Sequence, residues 1–135
     1  MKNKLSVLIG IGIAALVFFS MFLSGCAGSK EVNKKLSVQV TDWHEMGSTH
    51  YDPEIFTPLK KGDVVYESLH AIITVKSVNE ERIVLKVDGG MVEPNPDGTI
   101  DLNKEPIGTV TLSSGQSIEL DSQSMSAGVN VTISF

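Results

Sequence analysis

The chain is poor in the residues that cross-link a fold, chelate metals through thiolates or grip nucleic acid. Its 135 residues include a single cysteine, Cys26, so no disulfide can form within the chain and no multi-thiolate zinc site can be built. Arg82 is the only arginine. Eleven Lys and Arg residues stand against 16 Asp and Glu, a net charge of −5, and such a surface disfavours nucleic acid and anionic lipid headgroups as direct partners. There is no phosphate loop, no dinucleotide-binding glycine fingerprint and no nucleophile elbow. With three histidines and with serines clustered in turns, no Ser-His-Asp arrangement suggests itself. The expectation is a protein that is not an enzyme and that carries no cofactor, calcium being the one ion considered below. After residue 35 no stretch holds helical periodicity, and there is neither an internal repeat nor a low-complexity segment.

What is present begins at the N-terminus. Met1-Lys2-Asn3-Lys4 is a short basic start, and the 19 residues from Leu5 to Leu23 carry no charge. A basic region, an apolar region and small residues before a cut describe a helical export signal. An uncharged run of this length also approaches the roughly 20 residues of a membrane-spanning helix. In either case the basic start stays on the cytoplasmic side and the rest of the chain is placed outside.

Leu23-Ser24-Gly25-Cys26 resembles the lipobox of bacterial lipoproteins, an aliphatic residue, a small residue, Gly or Ala, then Cys. The resemblance covers residues 1–26 only and says nothing of the domain beyond. It implies a diacylglyceryl group on the Cys26 thiol and cleavage between Gly25 and Cys26. It therefore implies a partner, the membrane, and a location: lipid-anchored at the cell membrane or outer membrane. In a two-membrane cell, Ala27 in place of Asp after the cysteine implies release to the outer membrane. Removal of residues 1–25 takes away Lys2 and Lys4, leaving nine basic against 16 acidic residues, a net of −7. The expected organisation is a signal peptide over 1–25, a lipidated flexible tether over 26–35 and a β domain over 36–135.

Within that domain Leu36, Val38 and Val40 alternate with polar residues and predict a half-buried strand. Asp42 to Pro58, broken by Gly47, Pro53 and Pro58, predicts a long loop, and Lys60-Lys61-Gly62-Asp63 a turn before the apolar Val64-Val65-Tyr66. His70–Val78 and Arg82–Asp88 predict a hairpin across Asn79-Glu80-Glu81. Gly108–Leu112 and Gln116–Leu120 predict a second hairpin across Ser113-Ser114-Gly115. Val129, Val131, Ile133 and Phe135 form one face of a last strand. About seven short strands with turn signals predict an all-β fold, a small antiparallel β-sandwich, with the immunoglobulin arrangement among its options, or a barrel. Ser126-Ala127-Gly128-Val129 resembles the corner before a late immunoglobulin strand, but the tyrosine and cysteine pair of that family are missing.

Two segments carry candidate site residues. Glu93, Asn95, Asp97, Thr99 and Asp101, with Gly98 at a turn, resemble the calcium loop of EF-hand and dockerin modules, where oxygen ligands alternate. The first ligand would be Glu rather than Asp, and Lys104 stands where the bidentate acid belongs. The second segment, Asp42 to Asp52, gathers Trp43, His44, Glu45, His50, Tyr51 and Asp52, of which His44, Glu45, His50 and Asp52 could together meet a zinc ion. Imidazoles with carboxylates can ligate zinc, whereas Trp and Tyr favour contact surfaces. The expected function is thus a lipid-anchored, non-catalytic binding or envelope-structural module contacting a protein, peptide or glycan. The alternative is metal or small-solute binding through the 42–52 or 93–101 loop.

Overall fold

The computed structural model describes residues 29–135. The expected signal peptide, with Gly25 and Cys26, lies outside the described residues. The folded unit runs from Glu31 to Phe135. Its strands are β1 (Leu36–His44), β2 (Gly47–His50), β3 (Glu54–Phe56), β4 (Val64–Glu67), β5 (Ala71–Val78), β6 (Arg82–Gly89), β7 (Met91–Val92), β8 (Thr109–Ser113), β9 (Ser117–Ser122) and β10 (Ala127–Ser134). They form two antiparallel sheets, β2-β1-β10-β9-β7 with β3 also on β1, and β4-β5-β6-β8. The sheets do not join, so the fold is a β-sandwich and not a closed barrel. The first and last strands, β1 and β10, are neighbours in one sheet. In the immunoglobulin arrangement those strands fall in different sheets, which sets this topology apart from that option.

Period-two patterning decides which face of each strand is buried. Val75, Ile73 and Ala71 of β5, Ile83, Leu85 and Val87 of β6, Val110 and Leu112 of β8, and Val129, Val131 and Ile133 of β10 all turn inward. Removing a Leu or Ile side chain from water stabilises by about 1.5–3 kcal/mol, and these residues make one continuous cluster between the sheets. The predicted hairpin at 70–88 is β5–β6, and its turn is closed by Asn79 Oδ1, which accepts from the N–H groups of Glu81 and Arg82 at 2.9 Å each.

The structure corrects three expectations. The predicted 42–58 loop instead carries two strands. β1 continues through His44, turns at Glu45-Met46 and returns as β2, and β3 then pairs with the start of β1. The proline-broken sequence hides them because both strands are short edge strands with exposed side chains, where no apolar alternation is required. The expected hairpin over 108–120 is a crossover. β8 pairs with β6 and β9 with β10, so the Val110 and Ile118 faces meet across the core, not side by side. Its turn takes one bond from each sheet, Ser114 N–H to the Glu81 carbonyl at 2.8 Å and Gly115 N–H to the Phe135 carbonyl at 2.6 Å. Finally, the tether ends earlier than residue 35. Val32 is buried and exchanges two main-chain hydrogen bonds with buried Leu59, at 2.7 and 2.9 Å.

Candidate functional site

The two sheets are unequal, and the inequality makes a cleft. β4 is the last strand of its sheet, while opposite it the other sheet continues past β1 into β2 and β3. Between them opens a cavity of about 430 Å³ lined by Val38, Val40, Asp42, Tyr51, Asp52, Glu54, Val65, Tyr66, Glu67 and Ser68. Alternation along β1 explains the lining. Leu36 and Val38 are buried in the core, Val40 is half-buried, and Asp42, next on the same face, emerges where the sandwich opens. Tyr51 is held by its N–H donating to the Val40 carbonyl at 3.0 Å.

The lining combines an apolar floor of three valines with three carboxylates, Asp42, Asp52 and Glu54, and no lysine or arginine, while Glu67, opposite exposed Ile72, turns its side chain to the outer face. Among the described residues the one Lys–carboxylate ion pair is Lys86 with Asp88 at 2.8 Å, away from this lining. Both tyrosines of the chain are here. The Tyr51 hydroxyl donates to Asp42 Oδ2 at 3.0 Å, and this bond to a carboxylate raises its pKa above the usual phenol value. Burial raises that of Tyr66, opposed by a hydrogen bond with Ser68 and reinforced by the Asp42 charge. Both phenols therefore stay neutral under physiological conditions. Chemically, the cleft offers negative potential over an apolar and aromatic surface, which suits a cation carried on an apolar stem.

Of the residues singled out in the 42–52 segment, Tyr51 and Asp52 reach the cleft, together with Asp42. Trp43 lies on the other face of β1, half-buried, packed over Gly128 of β10 opposite it. His50 pairs with Thr41 and so shares the Trp43 face, with Nδ1 2.9 Å from Thr41 Oγ1. His44 points to the opposite face, and its Nδ1 accepts from the Met46 N–H at 3.2 Å. Strand alternation thus separates the two imidazoles that looked adjacent in sequence.

The 93–101 segment is a tight turn whose polar groups bind one another. Asp97 Oδ1 accepts from Thr99 N–H at 2.9 Å and Thr99 Oγ1 at 2.6 Å, which lowers the Asp97 pKa. Asn95 Nδ2 donates to Thr99 Oγ1 at 3.0 Å, and Gly98, at a φ of 80°, turns the chain. Asp101 Oδ1 accepts from the Asn103 N–H at 2.9 Å, and the Lys104 ammonium donates to the Glu93 carbonyl at 3.1 Å. Among the described residues, no group of three or more His, Cys, Asp or Glu side chains stands close enough to hold a metal ion.

Glu54, Tyr66, Glu67 and Ser68 were not singled out from the sequence. Glu54 comes from β3, paired beside β1 in the same sheet, whereas Tyr66, Glu67 and Ser68 come from the other sheet and only the sheet offset brings them to residue 42. The signal that was present is composition: two tyrosines, each within two residues of an acid. Comparison of the chain with protein-family models, with curated proteins and with solved structures finds no match.

Proposed function

We propose that this chain is a lipid-anchored, extracytoplasmic binding module, non-catalytic, that takes a cationic ligand in the cleft between β4 and the β2–β3 edge. The observation that carries the binding reading is the lining itself, three carboxylates and two neutral phenols over valines with no basic side chain among them. The anchor rests on the lipobox resemblance of Leu23 to Cys26. The chain enters the sandwich where Val32 meets Leu59 and Lys34 Nζ donates to Ser114 Oγ at 3.4 Å. Asp42 lies six residues along β1 from Leu36, about 20 Å at about 3.3 Å per residue from the entry end.

Two measurements test the two halves. Growth of the producing cells with a clickable fatty acid should label the wild-type chain and leave Cys26→Ala unlabelled; label retained in that variant would remove the anchor. Amide NMR spectra of the full chain in non-ionic micelles, titrated with a lysine-containing tripeptide, should shift residues 38–42, 51–54 and 65–68 together. Shifts elsewhere, or none, would remove the cleft as the binding site.

A further inference from the structure

Resting on the cleft reading above, we infer that the ligand is an extended segment of a partner polypeptide bearing Lys or Arg, which adds to the open edge of β4 as a fifth strand of the smaller sheet.

The first observation is geometric. The smaller sheet has four strands, and β4 has β5 as its one neighbour. The larger sheet extends further on that side, through β2 and β3. The cavity is the space one more strand beside β4 would fill, because its lining runs along β4 from Val65 to Ser68 and across to Tyr51, Asp52 and Glu54.

The second observation concerns the main chain. Ser68 N–H donates to the Ala71 carbonyl at 2.9 Å, and Glu67 is opposite Ile72 in the next pair. Hydrogen-bonded and non-bonded pairs alternate along an antiparallel ladder, so the main-chain N–H and C=O of Glu67 face away from β5, into the open edge. An exposed edge of this kind is where an extended peptide adds to a sheet, its main chain giving affinity and its alternate side chains specificity.

The third observation selects the partner. A strand laid here places every second side chain against Asp42, Asp52 and Glu54, with Tyr51 and Tyr66 beside them. Acidic side chains would meet like charge. A Lys or Arg stem packs on valine and phenol while its head reaches the carboxylates. Charge complementarity therefore favours a basic segment, and the adjoining turn offers fully exposed Leu69 to an apolar residue alternating with it.

The test uses the full chain in non-ionic micelles and three probes. One is acetyl-Lys-Val-Lys-Val-Lys-amide. The other two are the same peptide N-methylated at the valine nitrogens or at the internal lysine and last lysine nitrogens, which keep every charge and each block one hydrogen-bonding edge. Strand addition predicts that one methylated peptide binds at least about tenfold more weakly while the other binds like the parent, since two lost main-chain bonds act on one edge only. It also predicts slowed hydrogen exchange at the Glu67 amide with the parent peptide. Parent binding with both methylated peptides alike, or with unchanged Glu67 exchange, overturns strand addition and leaves the cleft reading standing. Failure of all three probes to bind overturns both.

Discussion

Asp121 is the buried carboxylate of the described fold, held on β9 with its Oδ1 accepting from Asn130 Nδ2 at 3.0 Å. Asn130 shares the same amide with Glu119. Burial raises the Asp121 pKa, Asn130 opposes the rise and the Glu119 charge adds to it. A raised folded-state pKa means that protonation favours the fold. The stabilisation is complete below the unfolded-state value and is lost as pH climbs through the folded-state value. Asp121→Asn removes the buried charge and keeps an acceptor for Asn130. It should raise stability at neutral pH by up to about 1 kcal/mol, a few degrees in Tm, and the gain should vanish in acid; thermal melts across pH check this. A lower neutral-pH Tm in the variant would show that the ionised carboxylate is favourable. Gly128 illustrates the opposite constraint, where space is the issue. A Cβ there would sit 2.6 Å from Trp43 Cζ2 and closer still to Ser122 Oγ. Gly128→Ala should cost about 1–3 kcal/mol in urea unfolding, because the ring and β10 must part to admit it.

At the scale of elements, legibility followed the core. The Ile83-Leu85-Val87 and Val129-Val131-Ile133 alternations were plain in the sequence because one face of each strand must be apolar. β2 and β3 were not, since all their side chains but that of Phe56 are exposed and so show no apolar alternation. Partner choice was also invisible. β8 and β9 carry the right spacing for a hairpin, but the same alternation serves two strands facing each other across a core, and the turn residues Ser113-Ser114-Gly115 suit both. The site suffered from the same blindness, because Tyr51 and Tyr66 meet only through the offset of two sheets. The core strands make a direct prediction. Leu120 has no solvent exposure and faces Val131, so Leu120→Ala should destabilise by about 2–5 kcal/mol in the same urea assay. Ile55→Ala, at 52% exposure on β3, should fall within about 0.5 kcal/mol of wild type.

For the whole molecule, the absence of disulfides leaves a sandwich held by its apolar core, and the acidic charge is left for the surface and the cleft. The 93–101 turn is closed by its own hydrogen bonds and by the Lys104 ammonium. The midpoint of thermal unfolding should therefore agree between EDTA and calcium to within about 1 °C. A calcium site filled at about 100 times its Kd would add about 2.7 kcal/mol, and a shift of that size would make the loop a metal site.

The central claim is that the carboxylates of the cleft recognise a cation, and one titration addresses it. The affinity of the full chain for acetyl-Lys-Val-Lys-Val-Lys-amide is measured by calorimetry in wild type and in the threefold variant Asp42→Asn, Asp52→Asn, Glu54→Gln. Exposed charge pairs contribute about 0.2–1 kcal/mol each, so the variant should bind at least about threefold more weakly while its circular dichroism spectrum stays that of the wild type. Equal affinity in a folded variant would contradict the account.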